Sequence, residues 1–229
     1  MRSHARRTGR LLALAMASAL VLVPAAGAGT GDGRIRTKLT KADQAAAAGA
    51  VMARDDLNAP AGWTGGPQKP DLAPPAPCAG FRPKQSDIVR TGVAQSIFSS
   101  SQGISFDSEA QVVRTAKMLQ VDWRRTVLPR QVGICLRARM LREISASKRT
   151  FVAFGRLAFP KVTARTVAYR VIYDDRASAG KVRRFTDLVF IGQARTELFV
   201  GTTAPLSQAT YVAPAEERLV RRLVARIGA

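Results

Sequence analysis

The chain has 229 residues, with 36 Lys+Arg against 16 Asp+Glu and a formal net charge of +20 at pH 7. This length allows one domain with a sizeable core, and this charge favours anionic partners and repels cationic ones. The single His is His4, inside a leader-like segment, so the rest of the chain is barred from Ser-His-Asp and Cys-His nucleophilic chemistry and from the usual His-ligated zinc sites.

Arg2, Arg6, Arg7 and Arg10 form a positive start, Leu11–Val23 an apolar run, and Ala26-Gly27-Ala28 an A-x-A cleavage pattern. The apolar run is shorter than the roughly 20 residues of a membrane span. Residues 1–28 are therefore expected to be a signal peptide for general secretion, with the product beginning near Gly29 and no transmembrane span left after cleavage. Cleavage leaves 32 Lys+Arg against 16 Asp+Glu. Because Arg greatly outnumbers Lys, GC-rich coding and a solvated basic surface stand beside an anion-binding surface as explanations.

Residues 29–38 read as a flexible linker, and residues 39–77 as a helix followed by a Pro/Gly-rich segment. Thr40-Lys41-Ala42-Asp43 is a capping-box-like start, and the alanine run predicts a light helix to about Asp56, packed at the domain edge. Pro60 and Gly62 stop it. Trp63 is expected to dock the segment onto the core, with ligand stacking as the minor alternative. Gly65–Pro77 (GGPQKPDLAPPAP) reads as an extended, mobile connection.

Residues 78–229 read as an α+β domain. Cys78 and Cys135 are the only cysteines, and two cysteines in a secreted chain most simply form one disulfide. A metal or reactive-thiol pair is disfavoured, since there is no C-x-x-C and no His nearby. Ile88–Gln95 and Ile104–Val113 predict two strands joined by the turn Ser99–Gly103. Thr115 is a potential N-cap for a helix whose face carries Met118, Leu119, Asp122, Trp123, Thr126 and Val127. Pro129 ends or bends it, and a second helix is expected from about Arg130 to Ile144.

Four strand-like runs follow: Phe151–Phe159, Arg165–Asp174, Arg183–Gly192 and Arg195–Thr203, each rich in Val, Ile, Phe, Tyr and Thr. Their connections suit hairpins and are too short for crossover helices. Pro214 fits a first helical turn, Glu216 and Glu217 follow at the positive end, and Leu219, Val220, Leu223, Val224 and Ile227 form an apolar stripe. The order predicts an α+β fold with a largely antiparallel sheet of about six strands covered by helices.

The signal peptide, the LNAPAGWT element, the Cys78 segment, VVRTAKMLQVDWRRTVLP leading to Cys135, and the closing strands and helix carry a resemblance. Over roughly Lys41 to Ile227 the chain resembles the actinobacterial secreted sensor-type domains. These include the extracellular domain of the PknH kinase and the LpqN-like lipoproteins, which are similar in turn to the PsbP-like α-β-α sandwich. The resemblance implies a sandwich fold and an extracellular or envelope-associated binding module. This chain departs from the kinase sensor in having one Cys pair where two are expected and in lacking a transmembrane segment, so kinase-linked signalling is not carried over.

Catalytic signatures are sparse. Ser145–Lys148 and Ser178–Lys181 match S-x-x-K, but the S-D-N and K-T-G partners are missing. Asp174-Asp175 reads as a solvated turn rather than a metal or acid/base pair. No phosphate-cradling Gly-rich loop occurs between a strand and a helix. No catalytic residue, metal ligand or cofactor is assigned. An enzyme would have to use carboxylates such as Asp107, Glu109 and Asp122, which the sequence cannot bring together. The favoured class is a secreted, non-catalytic, sensor-like binding module of the cell envelope. The alternative is a His-free cell-wall hydrolase or lyase. The expected anion-binding residues are Arg124, Arg125, Arg137, Arg139 and Arg142 on the two helices flanking Pro129, facing an anionic envelope polymer or lipid headgroups. Nucleic acid is disfavoured, because aromatic residues are few and no recognition motif appears.

Overall fold

The computed structural model describes residues 34–58, 60–72, 78, 80–177 and 180–227, so the expected signal peptide lies outside the described residues. Eight strands form one sheet: β1 (Arg36–Thr37), β2 (Trp63–Gln68), β3 (Val89–Ser100), β4 (Ser105–Val113), β5 (Thr150–Arg156), β6 (Arg165–Ala177), β7 (Gly180–Gln193) and β8 (Thr196–Pro205). Their order is β1-β3-β4-β8-β7-β6-β5, with β2 also paired to β3. Every pairing is antiparallel except the short β1–β3 contact. The helices are α1 (Lys41–Ala50), α2 (Ala116–Thr126), α3 (Arg130–Ala146) and α4 (Ala209–Ile227). The expected α+β class holds, and the sheet exceeds six strands because β1 and β2 share the outer edge of β3. No described helix is long and apolar enough to cross a membrane.

Strand alternation gives the sheet two different faces. On β4, Phe106, Ser108, Ala110 and Val112 are buried against one layer, formed by α1 and α4. That layer includes Ala47, Phe98, Phe185, Ile191, Leu198, Leu219 and Leu223. On the opposite face, α2 and α3 pack over the β6–β7 side through Trp123, Met140, Ile144, Val171, Tyr173 and Leu188. The same face continues over β3, β4 and β8 as a polar floor.

Thr40 caps α1 as expected, its Oγ1 accepting from the Asp43 N–H at 3.2 Å. The helix ends at Ala50 rather than near Asp56. The Met52 N–H instead donates to the buried Ser108 hydroxyl at 2.9 Å, and Asp56 folds back to accept from the Ala53 N–H at 2.7 Å. Small side chains let α1 lie almost on the backbone of β3: a Cβ at Gly92 would sit 2.1 Å from the Asp43 carbonyl oxygen.

The segment starting at Gly65 departs from the expected mobile connection. Trp63–Gln68 pairs residue by residue with Ser100–Gln95 of β3. Pro67 is tolerated because the strand lies on an edge. Gly65 adopts a φ of +119°, and a Cβ there would meet the Ile97 carbonyl oxygen at 2.1 Å. Trp63 packs against the core with its ring 5.5 Å from Phe106, and its Nε1 donates to the Asn58 carbonyl at 3.1 Å. This is the docking role its size required.

Two further departures concern charges. The helix α4 begins at Ala209, so Pro214 lies inside it rather than in its first turn, and Glu216 is buried against the sheet rather than placed at a helix end. Pro214 removes one donor at the second turn, where Thr210 and Pro214 are both exposed to solvent. Asp174 and Asp175 are strand residues, since β6 and β7 pair as far as Ala177 opposite Gly180. Asp174 is buried and binds Arg183 at 2.8 Å and Lys181 at 2.8 Å, which hold its carboxyl down to about 2.

Cys78 and Cys135 are joined with their Cα atoms 5.7 Å apart, across a sequence separation of 57. Changing either to Ser should lower the thermal midpoint by roughly 5–15 °C, given a loop-closure contribution of about 4 kcal/mol. Calorimetry with and without reductant checks this. A midpoint insensitive to both treatments would show that the bond contributes no stability.

Candidate functional site

Pro129 breaks the chain between α2 and α3, and neither helix fully covers the polar floor. A cavity of about 350 Å³ remains beneath them. Its floor takes Gln95 from β3, Asp107, Glu109 and Gln111 from β4, and Glu197 from β8; Asp122 descends from α2, and Leu136, Arg139 and Met140 come from α3. Phe190 and Phe199 supply an aromatic wall, with ring centroids 5.3 Å apart. Strand register gathers the acids: Gln111 pairs with Glu197 across β4 and β8, and Asp107 pairs with Gly201. The absence of a side chain at Gly201 leaves room for the Asp107 carboxylate, whose Oδ2 would lie 3.1 Å from a Cβ there.

The polar groups are only partly satisfied. Arg90 Nε donates to Gln111 Oε1 at 2.6 Å, and Gln111 Nε2 donates to Glu197 Oε2 at 2.8 Å. Gln85 Nε2 donates to Asp122 Oδ1 at 3.1 Å. Asp107 Oδ1 and Glu197 Oε1 are withdrawn from the surface and have no hydrogen-bond partner. Burial, reinforced by Glu109, pushes the Asp107 carboxyl up to about 7. Burial, reinforced by Asp122, pushes Glu197 up to about 8. Burial likewise raises Glu109 and Asp122. No cluster of three or more His, Cys, Asp or Glu side chains is placed to hold a metal ion among the described residues.

The structure thus brings together Asp107, Glu109 and Asp122, and adds Glu197, which sequence reasoning missed. The signal was the alternation of Asp107, Glu109 and Gln111 along β4. It reads as an ordinary solvent face until α2 and α3 are placed over it.

The five arginines do not form one open patch. Arg125 binds Asp87 at 2.7 Å and the Lys84 carbonyl at 2.9 Å, while Arg139 binds Glu143 at 2.6 Å and borders the cavity. Arg124, Arg137 and Arg142 are exposed, with the Arg137 guanidinium 5.4 Å from the centre of the Phe151 ring. Ser145 and Lys148 lie at the exposed C-terminal end of α3, and Ser178 is outside the described residues.

A second buried charge cluster lies on the opposite face. Arg170 makes two 2.6 Å hydrogen bonds to Asp187, and its guanidinium is 4.4 Å from the centre of the Phe185 ring. Glu216 of α4 joins this cluster; burial and the neighbouring Asp187 push its carboxyl up to about 8. The cluster locks α4 to the sheet and opens into neither cavity. A smaller cleft of about 200 Å³ runs between Trp63, Phe106 and α4.

No protein-family model matches the chain, and no curated protein matches it. Among solved structures, the chain is similar to the Saccharomyces cerevisiae Ran-binding protein Mog1p at 14% identity, over 58% of this chain and 75% of that one, with a TM-score of 0.29. A mutant of Mog1 gives 14% identity over 58% of this chain and 76% of that one, also with a TM-score of 0.29. Nothing about fold or function follows from a likeness at that level.

Proposed function

We propose that this protein is a secreted ligand-binding module of the cell envelope, sensor-like and non-catalytic, with the cavity beneath α2 and α3 as its ligand site. The observation that carries this reading is the cavity itself. It has an apolar and aromatic wall, and acceptor atoms that the protein leaves unpaired. Buried polar atoms cost free energy unless something bonds them, and a ligand can supply the missing donors. The disulfide and the sandwich-like layers support the extracellular part of the reading.

A carboxylate-based hydrolase or lyase of the cell wall is the second reading, favoured by the electrostatic coupling of Asp122 on α2 to Glu197 on the floor. Acid/base pairs work when their environments push the two groups apart, one kept protonated and the other ionised. Here burial raises all four carboxyls in the same direction. That pattern suits binding better than general acid/base chemistry.

The test is a thermal-shift screen of small amines, sugars and carboxylates on the wild type and on a Leu136→Trp variant that fills the cavity. A compound that stabilises the wild type and not the variant supports the module. Turnover of peptidoglycan or a chromogenic glycoside that disappears in Asp107→Asn would replace it with the hydrolase.

The exposed arginines also support contact between the module and an anionic envelope polymer or lipid headgroups outside the cavity. Changing Arg124, Arg137 and Arg142 together to Gln should weaken cosedimentation with anionic liposomes several-fold at low salt, without altering the fold. Arg125 and Arg139 are left in place because each has a carboxylate partner. Undiminished binding by the triple variant would reduce these residues to solvated charge.

A further inference from the structure

We infer that the cavity accepts a small organic cation, a primary or quaternary ammonium compound, held between the carboxyls of Asp107 and Glu197 and the rings of Phe190 and Phe199. The inference rests on the cavity being a ligand site, and it names the ligand's chemistry.

Charge distribution is the first reason. A chain of net charge +20 has 16 acidic residues, and five of them, Asp71, Asp107, Glu109, Asp122 and Glu197, line this one cavity. The sequence leads to an anionic partner, but the cavity has the opposite polarity to the surface. The second reason is the shortage of donors. Arg90 Nε donates to Gln111, and Arg139, which borders the cavity, donates through Nε to Glu143. Asp107 Oδ1 and Glu197 Oε1 therefore remain as acceptors without a donor. An anion would meet a cavity lined by five acids and be repelled by each that ionises; an ammonium group supplies donors to the two unpaired oxygens and favours their ionised forms.

The aromatic wall narrows the class further. Phe190 and Phe199 are only partly buried and line the cavity. Ring faces attract a cation within about 6 Å, most strongly where water is excluded. The acids do not converge as metal ligands, which sets an organic cation ahead of a metal ion. A volume of about 350 Å³ fits a compact ligand. The net positive surface repels such a ligand only at long range, where salt screens charges beyond about 8 Å. Inside the cavity, carboxyl contacts at about 4 Å act through a much lower dielectric.

Protonation couples to binding. The charged groups around the site are Arg90 on β3, Asp107 and Glu109 on β4, Asp122 on α2, Arg139 on α3, Glu197 on β8 and Asp71 before β3. Burial keeps Asp107 and Glu197 protonated into the neutral range when the cavity is empty. An arriving ammonium group favours their ionised forms. Binding therefore releases protons, and affinity rises with pH from about 6 to about 8, while the amine remains charged.

The experiment is isothermal titration of the purified protein with choline, putrescine, glucose and 3,3-dimethylbutan-1-ol, the neutral isostere of choline. Titrations are run near pH 6 and pH 8 in buffers of different ionisation enthalpy. The expected result is binding of at least one of the two cations, at least about tenfold tighter near pH 8, with proton release and no binding of the neutral isostere. Glu197→Gln and Asp107→Asn should each weaken the cation about tenfold and flatten the pH dependence. Circular dichroism and thermal melts confirm that both variants fold. Equal binding of choline and its isostere, or cation affinity unchanged in both variants, overturns the inference. Binding of glucose alone overturns it while leaving the ligand-binding module intact. If no compound from the broader screen binds either, both readings fail.

Discussion

Glu216→Gln should stabilise the protein at alkaline pH and change its stability little near pH 4. The Glu216 carboxyl is buried beneath α4, has one oxygen without a hydrogen-bond partner, and lies beside Asp187. Its folded pKa is raised from 4.5 to about 8. At a pH below both values, the folded and unfolded chains each hold the proton and no stability is lost. As pH rises through the unfolded value, only the unfolded chain ionises, so stability falls steadily until the folded group also ionises near pH 8. Asp107 and Glu197 act in the same direction, so the wild type should lose thermal midpoint across this whole window. Glutamine keeps the shape and cannot ionise. The variant should gain a few kcal/mol by pH 8, read as a midpoint several degrees higher and a flatter pH profile. An identical pH slope in wild type and variant would rule out Glu216 as a titrating group in this window.

The second large effect is steric. Gly92→Ala should destabilise the fold by more than about 3 kcal/mol, lowering the thermal midpoint by about 10 °C. The added Cβ would lie 2.1 Å from the Asp43 oxygen and 2.5 Å from its carbonyl carbon. Both are backbone atoms, so no side-chain rotation relieves the clash. The helix α1 would have to lift from β3, straining the 2.6 Å bond from the Val93 N–H to Gln44 Oε1 and the 2.8 Å pair between Arg195 and Asp43. Gly66→Ala is the control, since nothing lies within 4 Å of its Cβ. Urea unfolding of both variants makes the comparison. Equal stability of G92A and wild type would contradict this close seating of α1.

Much of the architecture was legible because it rests on local periodicity. The long strands, α2, α3, the Thr40 cap and the Cys78–Cys135 bond all follow from spacing and residue type. The strand β2 was not legible, since Gly65, Gly66 and Pro67 carry almost no β-propensity of their own and acquire strand geometry from the ladder of β3. The start of α4 was misplaced because Pro214 suits a first turn so well that an earlier start left no local signal. The cavity was the least legible feature. The residues Asp107, Glu109, Asp122 and Glu197 were all visible, but their convergence depends on β4 lying beside β8 and on α2 crossing above them, both long-range facts.

The Cys78–Cys135 bond decides how α3 is held over the cavity. It fastens α3, which supplies Leu136, Arg139 and Met140 to the cavity, to the segment that leads through Gln85 into the floor strand β3. The first half of α3 is therefore tied to the segment that enters β3 by a covalent link that reducing conditions do not permit. Reduction would leave α3 held over the cavity only by its packing against β5 and β6.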